Sequence, residues 1–441
     1  MNRLIPITLM VALSSGCDDR ATSTGPAGLE EPTLSLGGVQ GQHSRPRGRI
    51  IEATLVRTID PSAVAQIITL NNAGSAFQAR HAVEQYFVRY VTVDAGGTPV
   101  IASAGIFFPV GVDERVQMVS FSHGTATLKE AVPSSVTTSH SQGVLNASHG
   151  AVAVLADYIG NGIDAANFHP YLHAATEASA SIDALFAARS LAFRKGVRLD
   201  GRLFVYGYSQ GGHAAMALVR ELERRGRADW GAPFIVTAAA PMSGPYDLSG
   251  TARTFVLDAA PNPARSIALI RTMAAYQAVY GIAETLEQLL RPPYAELGNR
   301  MILEGIAAAE AQALVPALPR DALTDAAVTS ILDDPGSRLM RAIGDNDVHD
   351  WRPRTPMRLY YATADLLVPH QNALAAEARM RERGASDVSA VSVGHLSHGA
   401  AQWPSFIAAR QWFDTFPAKE QNQAMTTSMS IDSDAPRLRL E

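Results

Sequence analysis

Short apolar runs alternate with longer stretches of helical periodicity through most of the chain. Residues 86–93 and 100–108 are rich in β-branched and aromatic side chains. The Asp-Ala-Gly-Gly segment at 94–97 between them is typical of a hairpin turn. Residues 116–121 read as a further strand, and residues 151–156 are a continuous apolar run, which indicates a strand buried on both faces.

The alternation continues towards the middle of the chain. Residues 174–194 have helical periodicity, 202–206 read as a strand, a helix extends to about 225, and 234–239 read as a further strand. Strands and helices that alternate in this way indicate an α/β fold, with a mostly parallel sheet covered by helices on both faces.

The pattern changes in the last third of the chain. Residues 258–343 carry little strand signal, and helices are predicted at 267–280, 283–290, 301–311 and 326–332. The alternation then resumes with strands at 357–361 and 388–393 and helices at 371–383 and 401–413. We therefore predict a core formed by residues 50–257 and 344–416, with residues 258–343 inserted as a helical cap or lid.

Both ends of the chain depart from globular composition. Arg3 precedes a short apolar stretch at 4–13 and then Ser-Ser-Gly-Cys at 14–17, which is similar to a bacterial lipoprotein signal with Cys17 as the lipidated residue. A plain secretory signal is the alternative. Residues 18–49 read as a flexible linker and 417–441 as a disordered tail. We expect an exported bacterial protein, anchored at the cell envelope through Cys17.

Composition narrows the function classes further. The chain has 441 residues, of which 47% are hydrophobic and 18% charged, as in ordinary globular enzymes. A net charge of −5 without a basic cluster argues against binding to nucleic acid. Because the chain contains a single cysteine, no internal disulfide can form, and stability must come from the core.

The feature most informative about function is the segment from Gly207 to Gly212, Gly-Tyr-Ser-Gln-Gly-Gly. It follows an apolar strand and precedes a helix-forming stretch, which is the context of a nucleophile elbow. The glycines two residues before and after Ser209 avoid a collision between strand and helix, and they leave the hydroxyl at a helix N-terminus. Ser209 is therefore the predicted nucleophile.

A serine hydroxyl needs a base, and that base needs an orienting acid, in the chain order serine, acid, histidine. The Gly-His-Leu-Ser-His-Gly segment at 394–399 lies between the last strand and the last helix. We favour His398 as the base because we expect it in mid-loop, with Gly399 freeing the backbone beside it; His395 remains the alternative. Two histidines at this spacing without a nearby carboxylate make a poor metal site.

Asp365 follows the strand-like segment at 357–361 and is the predicted acid, because the carboxyl end of that strand faces the same sheet edge as the histidine segment. Asp247, after the preceding strand, is the alternative. The oxyanion of a tetrahedral intermediate needs hydrogen-bond donors, for which we predict the backbone amides of Gln210 and Thr125. His123, two residues before Thr125, is expected to brace that loop.

Together these residues resemble the α/β-hydrolase superfamily, and within it the secretory-lipase-like serine esterases. The resemblance covers about residues 80–415 and rests on six segments: 122–125, 157–160, 169–171, 207–212, 365–369 and 398–399. It implies a carboxylic-ester hydrolase with a Ser-Asp-His triad and a helical cap. The chain lacks the disulfide cysteines of many secreted members.

The predicted function is hydrolysis of a small-molecule ester or lipid through an acyl-enzyme, without a cofactor or metal. Two alternatives remain open: a peptidase of the same fold that cuts amide bonds, and a binding protein that uses the hydrolase fold without catalysis.

Overall fold

The computed structural model describes residues 47–136, 140–225 and 234–418. The predicted signal peptide with Cys17, most of the linker and nearly all of the tail lie outside these residues. Within them, no helix is both long enough and apolar enough to cross a bilayer.

A single nine-stranded sheet organises the described residues. Its strands are β1 (Ile50–Ile59), β2 (Val83–Val93), β3 (Pro99–Pro109), β4 (Val116–Ser122), β5 (Ala151–Ala156), β6 (Leu199–Tyr208), β7 (Val236–Met242), β8 (Met357–Tyr361) and β9 (Val388–Ser392).

The strand order in the sheet is β1-β2-β3-β5-β4-β6-β7-β8-β9. From β5 to β9 all neighbours are parallel, whereas β1, β2 and β3 form an antiparallel extension that joins β5. The order reverses around β4, which lies between β5 and β6 although it precedes both in the chain. Loops at the carboxyl ends of β4 and β6 therefore meet, as ligand sites in such sheets require.

Twelve α-helices accompany the sheet in the described part of the chain. They are α1 (Pro61–Leu70), α2 (Ser141–Ser148), α3 (Ala174–Arg194), α4 (Gln210–Arg225), α5 (Leu248–Leu257), α6 (Pro263–Tyr280), α7 (Tyr294–Leu303), α8 (Ala308–Leu314), α9 (Asp325–Leu332), α10 (Arg338–Gly344), α11 (Gln371–Glu382) and α12 (His398–Phe413).

Helices cover both faces of the sheet. Val152 and Val154 of β5 pack in a core with residues of α3, α4 and α11. Ala153 and Leu155 point the other way and pack with residues of α2 and α12. This alternation follows from the two-residue period of a strand and explains why β5 is a continuous apolar run. The prediction of a mostly parallel sheet with helices on both faces is confirmed.

A third apolar cluster is formed by the helices of the predicted insertion, with Tyr171 and Leu172 of the loop before α3. It also contains residues of α5, which precedes the predicted start of the insertion at residue 258. The domain boundaries given by the sequence remain predictions.

Two of the helix predictions for this region are wrong. Residues 283–290 contain only a 3₁₀ turn, Leu286–Gln288, because Gly281 ends α6 in the left-handed conformation and Pro292 and Pro293 prevent a longer helix. The single helix expected at 301–311 is instead two helices, α7 and α8, separated at Gly305, which has a φ of +79°. That break brings backbone groups of the insertion to the loop after β4, as described below.

Candidate active site

Ser209 lies in the turn between β6 and α4 with a φ of 61°, a left-handed conformation that side chains other than glycine seldom adopt. Its amide donates to the carbonyl of Met242 in β7, at 3.0 Å, and its own carbonyl accepts from the amide of Gly212, at 2.8 Å. The strained backbone is therefore fixed from both sides, as expected where strain serves a site.

The flanking glycines are required by close backbone approach rather than by a positive φ. A Cβ atom on Gly207 would lie 2.2 Å from the carbonyl oxygen of Gly211, and one on Gly211 would lie 1.9 Å from that of Ser122. Side chains at either position would thus force β4, β6 and α4 apart. This matches the steric reason given for the motif from the sequence.

The structure brings Ser209, His398 and Asp365 into one chain of hydrogen bonds. The Nε2 atom of His398 lies 2.9 Å from the Oγ of Ser209, and its Nδ1 atom lies 2.6 Å from Oδ2 of Asp365. Nδ1 therefore carries a proton that it donates to the carboxylate, which leaves Nε2 able to accept the serine proton.

The carboxylate of Asp365 is fixed from its other side as well. Its Oδ1 atom accepts the backbone amides of Leu367 and Val368, at 2.9 and 2.8 Å. The side chain is only 1% exposed. Asp365 follows β8, and this turn holds the carboxylate in one orientation towards His398.

The expected location of His398 in a loop is wrong. It is the first residue of α12, after Ser397 at the N-cap. A Cβ on Gly399 would meet nothing within 4 Å, and this glycine has no positive φ, so Gly399 is not needed to free the backbone. The start of a regular helix, not loop flexibility, sets the position of the imidazole.

The two alternative residues have other partners. His395 places its Nδ1 atom 3.0 Å from Oγ1 of Thr363. Asp247 caps the N-terminus of α5, where its carboxylate accepts the amide of Gly250 at 2.8 Å. The geometry therefore brings His398 and Asp365, rather than His395 and Asp247, to Ser209.

The two residues predicted to supply oxyanion donors both line the cavity that contains Ser209. Gln210 is the first residue of α4, where free amides and the helix dipole favour negative charge. Thr125 follows Gly124, at which a Cβ atom would lie 3.8 Å from Cβ of Ser209. The Thr125 hydroxyl lies 2.9 Å from the hydroxyl of Tyr171.

His123 lies beneath this loop, with its ring stacked on Tyr158 at a centroid distance of 4.3 Å. Its Nδ1 atom lies 2.7 Å from the carbonyl oxygen of Gly124. Burial lowers the pKa of His123 to about 4, so the ring is neutral near pH 7 and donates from Nδ1. These contacts suit the bracing role expected from the sequence.

Our predictions from the sequence do not include the buried polar network that lies below Ser209. The side-chain amide of Gln210 donates to Oε1 of Glu177, at 3.0 Å, and to Nε2 of His169, at 3.2 Å. Oε2 of Glu177 lies 2.6 Å from Nδ1 of His213, whose Nε2 lies 2.9 Å from the carbonyl oxygen of Asn346. Glu177 is 1% exposed and His213 is fully buried.

This network holds Gln210, the residue that follows Ser209. His169 can accept from Gln210 because its own Nδ1 faces the carbonyl of Ile159, at 2.7 Å, and burial lowers the pKa of His169 to about 3. One signal for the network was present in the sequence: Glu177 is an acidic residue in a stretch of α3 that is otherwise almost entirely Ala, Ser and Thr. A charged side chain on a helix packed this tightly needs a buried partner.

An apolar cavity of about 190 Å³ opens beside Ser209. The helices α5 and α6 supply most of its walls, with Leu367 and Val368 from the turn after Asp365. The side chains that give it its apolar character include Leu248, Ala252, Phe255, Ile267, Ala268 and Met273.

One group among the described residues has potential metal ligands close together: Asp247, Asp347 and His349, with ligand atoms within 4.8 Å of one another. Hydrogen bonds already occupy much of this group. Asp347 accepts the amide and the hydroxyl of Ser249, and the Nδ1 atom of His349 lies 3.2 Å from the carbonyl oxygen of Tyr246. We assign no catalytic step to this group.

Comparison with solved structures places this architecture among known enzymes. The rice cell wall degrading esterase LipA from Xanthomonas oryzae superposes with a TM-score of 0.75 at 26% identity, over 84% of this chain and 99% of that one. A Legionella pneumophila protein described as a hydrolase gives 0.76 at 24% identity, covering 85% and 99% of the two chains.

Lipase A from Candida antarctica in its closed state gives a TM-score of 0.61 at 17% identity, over 85% of this chain and 84% of that one. No family model matches the sequence, and a search of curated proteins found no match. The nine-stranded sheet, the turn at Ser209 and these similarities all indicate the same fold. The chain is an α/β-hydrolase, with the LipA esterase among the solved structures to which it is similar.

Proposed function

We propose that this protein is a serine hydrolase that cleaves carboxylic esters through an acyl-enzyme intermediate. The observation that carries the proposal is the hydrogen-bonded series from Ser209 through His398 to Asp365, with distances of 2.9 and 2.6 Å. A nucleophile, a base within reach and a buried group that orients the base are the parts this chemistry needs.

In the first half-reaction, the Oγ atom of Ser209 bonds to the ester carbonyl carbon while Nε2 of His398 takes the serine proton. Asp365 stabilises the resulting imidazolium. The carbon–oxygen bond to the alcohol then breaks, and His398 gives its proton to the departing alcohol. In the second half-reaction water, deprotonated by His398, attacks the acyl carbon. The bond from that carbon to Oγ of Ser209 then breaks, His398 returns the proton to Oγ, and the acid leaves.

The amides of Gln210 and Thr125 are the proposed donors to the oxyanion that forms in both half-reactions. Pre-oriented donors of this kind each contribute about 3 kcal/mol or more to stabilisation of the transition state. The network of Glu177, His169 and His213 supports this role because it fixes the side chain of Gln210 and thereby the start of α4.

The apolar cavity supports an ester rather than a peptide substrate. Its walls from α5 and α6 offer hydrocarbon surface to an acyl chain whose carbonyl lies at Ser209. A peptidase also has to recognise backbone amides with polar groups, and the walls of this cavity supply few of them. Relatives that are esterases and lipases agree with this reading.

A labelling experiment with matched variants tests the proposal. Wild-type protein is expected to react with a fluorophosphonate at Ser209 and to hydrolyse p-nitrophenyl esters faster than peptide p-nitroanilides. Ser209→Ala should abolish labelling and turnover while its circular dichroism is unchanged. His398→Gln should act similarly, whereas His395→Gln should retain activity. Folded protein that neither labels nor turns over esters would favour a binding role, and preference for anilides would favour a peptidase.

Export with a lipid anchor is a separate proposal, motivated by the charged, apolar and Ser-Ser-Gly-Cys pattern that ends at Cys17. Metabolic labelling of the full-length protein with an alkyne fatty acid in a bacterial host should modify the wild type and not Cys17→Ala. Equal labelling of both proteins would exclude lipidation at this residue.

A further inference from the structure

Helix α6 forms part of the wall of the cavity that contains Ser209. Residues along most of its length, from Ala264 to Met273, line the same cavity as Ser209. An insertion in this position can work in two ways: as a lid that swings away to admit substrate, or as a fixed wall. The polar contacts of α6 and its neighbours distinguish the two.

At its N-terminal end α6 is attached to the turn that holds the catalytic acid. Nε of Arg265 donates to the carbonyl of Leu366, at 2.5 Å, and the side-chain amide of Asn262 donates to the same oxygen, at 2.9 Å. Leu366 directly follows Asp365. Arg265 is only 5% exposed, whereas Leu366 is 69% exposed, so this contact lies at the surface on its Leu366 side.

Two turns further along, α6 is attached to the loop that carries the proposed oxyanion donor. Nη1 of Arg271 donates to the carbonyl of Ala126, at 3.1 Å, and Nη2 donates to the carbonyl of Met301 in α7, at 3.2 Å. Ala126 directly follows Thr125. The guanidinium also lies 5.3 Å from the centre of the Tyr171 ring, whose hydroxyl contacts Thr125.

The segment between α7 and α8 also contacts the loop after β4. The amide of Ile306 donates to the carbonyl of Thr127, at 2.8 Å, and Gly305 forms an antiparallel bridge with Leu128. The amide of His169 in turn donates to the carbonyl of Ile302, at 2.8 Å. Three consecutive residues after Thr125 are therefore paired with the insertion.

Displacing α6 from the loop after β4 would leave the carbonyl of Ala126 without its donor and the Arg271 guanidinium without one of its two acceptors. Arg271 is 3% exposed, and a buried cation that loses its acceptors is strongly destabilising. With α6 in place, the side chain of His398 is 17% exposed, so the imidazole already reaches solvent.

We propose that α6 is a fixed brace of the catalytic loops rather than a moving lid, with Arg271 and Arg265 as positioning residues for the oxyanion and acid loops. This inference rests on the proposed ester hydrolysis. Its consequence is that the enzyme acts on dissolved esters and needs no lipid–water interface to open it.

The first test uses wild-type enzyme and a short-chain triglyceride, with rates measured below and above its solubility limit. If α6 is a fixed brace, the rate should rise hyperbolically with triglyceride concentration, without a break at the solubility limit. An abrupt increase of about tenfold or more once emulsion appears would show that α6 opens at an interface, and would overturn the inference. Absence of any ester turnover would instead count against the proposed function.

The second test is a variant series assayed on a soluble p-nitrophenyl ester. Arg271→Met should lower kcat about tenfold or more with little change in KM, because it disturbs the oxyanion loop and not the apolar cavity. Arg271→Lys, which keeps a donor, should recover part of kcat. Arg300→Met, which removes exposed ion pairs of α7, is the matched control and should behave as wild type.

Thermal melting separates positioning from loss of fold. Should Arg271→Met not fold, Arg265→Met takes its place with the same expected split between kcat and KM. Variants that fold and keep the wild-type kcat, or that change KM alone, would show that neither arginine positions a catalytic loop.

Discussion

The Nδ1 atom of His398 lies 2.6 Å from Oδ2 of Asp365, while the opposite carboxylate oxygen accepts two backbone amides. The two backbone amides therefore fix the orientation of the carboxylate independently of its hydrogen bond to the imidazole. A hydrogen bond of this kind fixes the tautomer of the histidine, which decides whether Nε2 can accept a proton from Ser209.

Replacement of this acid by its amide is the most direct test of the pairing. Asp365→Asn keeps the size of the side chain but favours the wrong tautomer of His398, and kcat should fall by about 10⁴-fold in steady-state ester assays. Asp247→Asn is the matched control, because asparagine caps a helix as well as aspartate does, and it should retain activity. The opposite ranking of the two variants would make Asp247 the acid.

The buried network under Ser209 leads to a prediction about the free energy of unfolding and kcat together. Glu177→Ala removes the acceptor of both Gln210 and His213, and should lower the free energy of unfolding by about 3–5 kcal/mol. Glu177→Gln can still accept from Gln210 and donate to His213, so its loss should be much smaller. Urea denaturation and kcat measure the two effects. Equal losses in both variants would mean that the hydrogen bonds of Glu177 are unimportant.

The apolar cavity predicts a change in acyl preference when one wall is enlarged. Ala268→Trp places an indole in the cavity beside Thr272, and should lower kcat/KM for octanoyl and longer esters by about tenfold or more. Acetyl and propionyl esters should be affected far less. Ala309→Trp on the exposed side of α8 is the control. A uniform decrease for all acyl lengths would place the acyl chain elsewhere.

Four buried histidines predict a loss of stability in acid. Burial lowers the pKa of His123 and His173 to about 4 and that of His140 and His169 to about 3. In the unfolded chain each takes up a proton below about pH 6.5. The unfolded state thus binds more protons, and stability falls as pH decreases from about 6.5 towards 4, by up to about 1.4 kcal/mol per pH unit for each histidine.

A single substitution isolates one of these contributions. His173→Gln removes one titrating group, so the difference in unfolding free energy between pH 7.5 and 5 should be smaller than in the wild type. His395→Gln, which removes an exposed imidazole, serves as the comparison. An unchanged slope in His173→Gln would show that His173 does not titrate differently in the two states.

Several parts of this site could be predicted from the sequence because they depend on local rules. The strand before Ser209, the glycines around it and the helix after it are all adjacent in the chain. Asp365 could be placed because the ends of parallel strands meet at one edge of the sheet. These arguments need no knowledge of distant packing.

The parts that were missed depend on contacts between segments far apart in the chain. Nothing near His213 indicates that Glu177, 36 residues earlier, lies beside it. Gly305 is a local signal for the end of a helix, but the pairing of this break with Thr127 and Leu128 involves a segment far away in the chain. The first turn of α12 at His398 was mistaken for loop because glycine follows it.

The pairing of residues 126–128 with the break between α7 and α8 also bears on engineering by recombination. A chimaera that received the helical region of another hydrolase, but kept its own segment after β4, would carry carbonyls without donors next to Thr125. Donor and recipient would have to exchange that short segment together with the helices. Crossover points in a shuffled library are therefore best placed outside both the segment after β4 and the helical region.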